Sequence, residues 1–149
     1  MTIRGTQGME NEAARFVADL TPHKDAATVI TLSGDLGAGK TAFVKGVAKA
    51  FGVHEHVTSP TFVIMKIYPL DGVFKKLVHI DAYRLKGEHH LKVLGWEELL
   101  KDPHNLICIE WPEQVPQAMP PHAIRIALRY TGDDEREILY AKEEAVGTA

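Results

Sequence analysis

The spacing of apolar positions changes several times along the chain, and each change marks a different element. Ala13, Phe16, Val17 and Leu20 recur at i, i+3, i+4 and i+7, which predicts a helix from about Glu10 to Leu20 with one apolar stripe. Thr21-Pro22-His23 stops it. The run from Ala27 to Leu32 is apolar and β-branched, reads as a buried strand, and ends at a glycine-rich segment. After Lys40 the period returns to helical: Phe43, Val47, Ala50 and Phe51 fall on one side, Lys45 and Lys49 on another, and Gly52 closes the segment.

Beyond it, Thr58-Ser59-Pro60 marks a turn, and Thr61 to Tyr68 reads as a strand ended by Pro69-Leu70-Asp71-Gly72. Leu77-Val78-His79-Ile80-Asp81 and Leu106-Ile107-Cys108-Ile109-Glu110 are two apolar strands that each finish on a carboxylate. Between them, Leu91, Leu94, Leu99 and Leu100 predict one or two short helices around Gly95-Trp96. Ile124, Ile126 and Leu128 then alternate with Arg125, Ala127 and Arg129, Thr131 to Asp134 reads as a turn, and Glu137 to Tyr140 as a returning strand. The pattern predicts an α/β fold with a mixed central sheet, helices packed on it, and a C-terminal β-hairpin.

Length and composition narrow this picture. At 149 residues, with 45% hydrophobic and 25% charged, the chain fits one globular domain over residues 1–149, with 145–149 as a frayed tail. A formal charge of −3 offers no broad positive field, which disfavours an extensive DNA or RNA footprint. Lys75, Lys76, Arg84 and Lys86 are close in sequence, a grouping ordinary for a solvated face. The single cysteine, Cys108, lies in an apolar run and reads as a small buried hydrophobe. No stretch reaches the ~20 apolar residues that span a bilayer, and Met1 to Glu10 lacks a signal-peptide core, so the expected setting is the cytoplasm, away from membranes.

The chemistry starts at Gly34-Asp35-Leu36-Gly37-Ala38-Gly39-Lys40-Thr41, which matches G-x-x-x-x-G-K-[ST] in full between a strand and a helix. Glycines let backbone amides turn inward around phosphate oxygens, and the helix N-terminus adds about half a positive charge. In this pattern Lys40 neutralises the β- and γ-phosphates of ATP and Thr41 offers its hydroxyl to Mg²⁺. Such a site also needs an acid from a neighbouring strand. Asp81 and Glu110 both end strands on the carboxyl edge where nucleotides bind; Asp81 suits the metal, and Glu110 the metal-water shell or the role of general base. Thr58 to Phe62 occupies the place of a γ-phosphate-sensing segment whose hydroxyls could reach Mg²⁺ or the phosphate, although Ser-Pro and Thr-Ser are also ordinary turn chemistry. His54, His56, His89 and His90 lack the spacing of a zinc site. Trp96 reads as a packing residue, and Trp111, beside Glu110, as a ligand contact. Tyr83 and Arg84 could reach a partner or the nucleotide, or in the case of Arg84 form a surface ion pair.

Taken together, Leu32 to Thr41, Thr58-Ser59-Pro60-Thr61-Phe62, His79-Ile80-Asp81-Ala82-Tyr83-Arg84-Leu85, Leu94-Gly95-Trp96 and Ile109-Glu110-Trp111-Pro112 resemble the bacterial TsaE (YjeE) family over nearly the whole chain. The resemblance implies a P-loop NTPase-like three-layer sandwich and an ATPase that works with TsaB and TsaD in tRNA threonylcarbamoyladenosine synthesis, with tRNA contacted only indirectly. It implies Lys40 and Thr41 as phosphate and Mg²⁺ residues, Asp81 as the Walker B acid, Glu110 as an essential second acid, Thr61 in a switch, Trp111 beside the nucleotide, and adenine contacts near Thr6 and the first helix. Hydrolysis is expected to be slow in isolation, because no dedicated motif supplies an arginine finger. Two other readings stay open: a small-molecule kinase, which needs an acceptor pocket and a lid, and a nucleotide-sensing interaction module.

Overall fold

The computed structural model describes residues 1–53, 57 and 64–141. Thr58 to Thr61 and Phe62, with His54 and His56, lie outside the described residues, as does the tail from 142 onward. The elements are β1 (Thr2–Arg4), α1 (Gly5–Val17), β2 (Thr28–Ser33), α2 (Lys40–Ala50), β3 (Met65–Pro69), β4 (Lys76–Asp81), α3 (Glu88–Val93), α4 (Trp96–Lys101), β5 (Asn105–Glu110), β6 (Ile124–Gly132) and β7 (Glu135–Ala141). Two 3₁₀ turns, Pro112–Gln114 and Pro116–Ala118, follow β5.

All seven strands join one mixed sheet in the order β1-β7-β6-β2-β5-β4-β3. The four central strands, β6, β2, β5 and β4, run parallel, while β3, β7 and β1 pair antiparallel with their neighbours. Because strand side chains alternate, the sheet feeds two cores. On one face Ile30, Leu32, Leu77, Leu106, Cys108, Ile126 and Leu128 pack beneath Met9, Ala13 and Val17 of α1 and Phe43, Val44 and Val47 of α2. On the other, Val29, Val78, Ile80, Ile107 and Ile109 pack against Leu91 of α3 and Trp96 of α4. This is the three-layer arrangement the resemblance implies, with the mixed sheet and C-terminal hairpin the pattern predicts. Cys108 is fully buried, and burial raises its thiol above the usual range.

α1 and α2 approach closely because Gly46 has no side chain: a Cβ there would stand 2.5 Å from the Glu10 carbonyl oxygen and 2.7 Å from the Ala13 Cβ. An ion pair between Lys49 Nζ and Glu10 Oε1 at 2.5 Å spans the same contact, and Phe16 stacks on Tyr140 of β7 at 4.9 Å.

The boundaries differ from expectation in a few places. α1 begins at Gly5 and stops at Val17, rather than running from Glu10 to Leu20. Its first turn, Gly5-Thr6-Gln7-Gly8, has no apolar stripe to announce it and is set by the Gly5 N–H, which donates to the Asp134 carbonyl at 2.9 Å. β1 went unread because three residues are too few for a period. β6 extends through Thr131 and Gly132, which leaves only Asp133 and Asp134 between the two strands of the hairpin.

Candidate nucleotide site

The loop from Gly34 to Gly39 leaves the end of β2 and enters α2 at Lys40, so the α2 N-terminus points into it. Gly34 is where the loop passes under the hairpin. A Cβ at this position would stand 2.3 Å from the Leu128 carbonyl oxygen and 3.1 Å from the Ala38 Cβ, with the backbone at φ +149°. No larger residue fits without moving β6.

Lys40 is 5% exposed and folds back over the loop. Its ammonium donates to the Gly34 carbonyl and, at 2.9 Å, to the Asp35 carbonyl, and it lies 4.3 Å from the centre of the Trp111 ring. Burial pulls this amine below the usual lysine range, partly opposed by the carboxylates of Glu110, Glu113, Asp81 and Asp35.

The two strand-end acids stand side by side. Asp81 of β4 is the register partner of Glu110 of β5, and Glu110 is in turn the partner of Leu32 of β2, directly before the loop. The acids occupy different environments. Glu110 is 3% exposed and accepts from the Thr41 hydroxyl (Oγ1 to Oε2, 3.3 Å), with His79 Nε2 2.6 Å from the same oxygen. Asp81 is half-buried, and its Oδ1 accepts from the Tyr83 N–H at 3.0 Å. Immediately after Glu110, Trp111 adopts the left-handed conformation at φ 60°, ψ 51°, and its N–H donates to the Leu32 carbonyl at 3.1 Å. A non-glycine residue in this region carries about 1–3 kcal/mol of strain. Here the outlier places an indole against Lys40 and, at 4.9 Å, against the Tyr83 ring.

These residues line one open cleft of about 470 Å³ with Leu36, Gly37, Gly39, Lys40, Thr41, Asp81, Tyr83, Arg84, Glu110, Trp111 and Arg136 in its walls. A smaller polar hollow of about 110 Å³ adjoins it, where Thr6, Met9, Asp133, Asp134 and Arg136 meet. Thr41, Asp81 and Glu110 form a hard oxygen donor set at the foot of the phosphate loop. No three His, Cys, Asp or Glu side chains converge as a metal cage among the described residues. Two carboxylates and a hydroxyl are the donor set by which Mg²⁺ is held jointly by protein and nucleotide phosphate, so the residues fit that ion.

The comparisons with known proteins agree with one another. The family model for "Threonylcarbamoyl adenosine biosynthesis protein TsaE" matches residues 7–138. A Bacillus subtilis protein named "tRNA threonylcarbamoyladenosine biosynthesis protein TsaE" is 39% identical over 87% of this chain and 79% of its own length. The chain belongs to the TsaE family. A Rickettsia typhi protein of the same name is 34% identical over 95% of this chain and 94% of its own length. The crystal structure of B. subtilis YdiB superimposes with a TM-score of 0.73 and 32% identity, over 94% of this chain and 82% of that one. The fold is that of the P-loop NTPases.

In this TsaE family member, Leu36, Gly37, Gly39, Lys40, Thr41, Asp81, Glu110 and Trp111, read from the sequence as site residues, meet in one cleft, while Gly34, Asp35 and Ala38 of the same loop are not in its walls and Ala38 is buried. Thr61 lies outside the described residues. Trp96 is a packing residue as expected, 4% exposed, its Nε1–H donating to the Ala118 carbonyl at 3.1 Å. His89 and His90 are exposed on α3 with ring centres 6.0 Å apart. Sequence reasoning missed Arg136. From β7 its Nε donates to the Gly37 carbonyl at 2.8 Å, its Nη1 to the carbonyls of Gly132 (2.7 Å) and Glu135 (2.8 Å), and the guanidinium lies 4.3 Å from the Tyr130 ring centre. Nothing local singles out this arginine; only the hairpin's return to the loop gives it a role. No helix among the described residues is long and apolar enough to cross a membrane.

Proposed function

We propose that this protein is a Mg²⁺-dependent ATPase of tRNA N6-threonylcarbamoyladenosine (t6A) synthesis, working in the cytoplasm with TsaB and TsaD and touching tRNA only through them. The observation that carries the hydrolysis reading is the Thr41 hydroxyl resting on the Glu110 carboxylate at 3.3 Å beneath the phosphate loop, with Asp81 one strand away. The pathway rests on the family, whose members carry it in their names.

The loop amides and the α2 N-terminus bind the phosphates, and the Lys40 ammonium, already inside the loop, compensates the charge of the β- and γ-phosphates. Thr41, Asp81 and Glu110 would hold Mg²⁺, directly or through water, and the ion would supply charge neutralisation to the phosphates. Glu110 orients and deprotonates the attacking water. Trp111 and Tyr83 wall the cleft, while the hollow at Thr6, Asp133 and Asp134 offers carbonyl, hydroxyl and carboxylate groups to the base and ribose. Arg136 braces the loop with its fork already engaged on three carbonyls, so it is no free arginine finger. On this reading turnover is slow in isolation and is stimulated by partners.

The test is t6A content of tRNA in cells lacking the protein, complemented by wild type, Lys40→Ala or Glu110→Gln. Alongside it, phosphate release is measured with purified protein and no acceptor metabolite. Lys40→Ala is expected to lose nucleotide binding. Glu110→Gln is expected to bind ATP normally, hydrolyse it ~10² to 10⁴-fold more slowly, and fail to restore t6A. Full complementation by Glu110→Gln would favour a nucleotide sensor, and ATP consumption that requires an added acceptor would favour a kinase.

A further inference from the structure

His79 is the one member of the strand-end constellation with no role in the reading above. It lies two residues before Asp81 in β4, paired in register with Cys108, and is fully buried. Leu77, two residues earlier on the same side of the strand, is an ordinary core residue. An apolar residue at 79 would pack there without the cost of burying an imidazole, so the histidine needs a reason. Its Nε2 lies 2.6 Å from Glu110 Oε2, while its Nδ1 is buried with no hydrogen-bond partner among the described residues.

The proton between Nε2 and Oε2 can be placed. Two lone pairs cannot face each other at 2.6 Å, so a hydrogen lies between them. With that hydrogen on Nε2, Glu110 remains an acceptor-only carboxylate. Glu110 Oε2 therefore accepts from two sides, from the imidazole inside the sheet and from the Thr41 hydroxyl on the loop.

We infer that His79 is a positioning residue: by donating Nε2–H to Glu110 Oε2 it fixes this carboxylate against Thr41, and it thereby sets the rate of hydrolysis rather than the affinity for nucleotide. The inference rests on the hydrolysis reading above. Carboxylates at metal and water sites depend on such outer hydrogen bonds, and losing one costs about 10- to 100-fold in function. Among the described residues His79 makes no hydrogen bond to the loop amides or to Lys40, so its loss acts through Glu110 rather than on the phosphate contacts.

The experiment compares wild type, His79→Leu, His79→Gln, His79→Asn and Glu110→Gln by single-turnover ATP hydrolysis, by calorimetric ATP affinity with Mg²⁺ and with EDTA, and by ¹⁵N NMR of the nucleotide-free protein. His79→Leu is expected to hydrolyse ATP on the order of 10- to 100-fold more slowly with affinity within about threefold of wild type. His79→Gln, whose amide N–H reaches the place of Nε2, recovers most of the rate, and the shorter His79→Asn does not. The NMR spectrum is expected to show His79 with hydrogen on Nε2. Wild-type rates in His79→Leu, equal rates in the Gln and Asn variants, or no hydrogen on Nε2 would each overturn the inference. If His79→Leu does not fold, the Gln and Asn pair and the NMR spectrum decide it. If Glu110→Gln hydrolyses ATP like wild type, the hydrolysis reading has failed instead, and the NMR result still tests the His79–Glu110 hydrogen bond.

Discussion

The two halves of the sheet are built differently. β5 is buried at every position and β2 at all but its last, because helices cover both faces of the parallel centre. In β6 only Ile126 and Leu128 are buried, while Arg125, Ala127 and Arg129 face outward, because the antiparallel β6–β7–β1 segment is covered on the α1 and α2 side alone. The first half reads as unbroken apolar runs and the second as alternation. The difference extends to function. The parallel half supplies the groups that face phosphate, metal and water: the loop, Lys40, Thr41, Asp81 and Glu110. The hairpin half supplies no acid or nucleophile to the reaction but forms the roof over Gly34 and the brace on Gly37.

If the hairpin shapes the loop rather than merely covering the core, disturbing it at the loop should be felt in binding. The largest effect is expected from Gly34→Ala, which drives a Cβ onto the Leu128 carbonyl. It should cost about 3 kcal/mol in denaturant unfolding and abolish ATP binding. Near-normal binding would show that the two halves adjust independently. Next comes Arg136→Ala, which releases the Gly37 carbonyl while sparing both cores. Calorimetry should show ATP affinity about tenfold weaker, equivalent to ~1.4 kcal/mol, and Arg136→Lys should not rescue it, since a lysine lacks the planar fork. The smallest effect concerns the parallel half alone. Burial lowers the Lys40 pKa, and a lysine attracts anions only while protonated, so ATP affinity should decline with rising pH earlier than an ordinary lysine would allow. Arg136→Ala should leave the midpoint of that decline unchanged, which separates the two halves in one titration.

The parallel half was the more legible in sequence, for a physical reason. Strand, glycine loop and helix are contiguous, and a carboxylate ending an apolar run announces a strand terminus whatever lies beside it. Which of Asp81 and Glu110 meets Thr41 depended on strand order, a tertiary fact that places β5, not β4, next to β2. The hairpin itself was readable from its alternation, but Arg136 was not, because its partners Gly37, Gly132 and Glu135 come together only when β7 closes on the loop. The early start of α1 was hidden likewise, since a first turn containing Gly5 and Gly8 is held by the Asp134 carbonyl rather than by propensity. His79 looked like one more member of an apolar run until its ring was seen against Glu110.

The left-handed turn at Trp111 has an optical consequence. The protein has two tryptophans, and their surroundings are very different. Trp96 is sealed between α4 and the Ala118 carbonyl, where nothing in the cleft can reach it. Trp111 lies 4.3 Å from the Lys40 ammonium, a cation whose position any bound phosphate must compete for. Indole emission shifts with the electric field across the ring, so one chromophore serves as an internal reference and the other as a gauge of the charge beside it. The unlabelled protein thus carries its own fluorescent voltmeter for the phosphate loop.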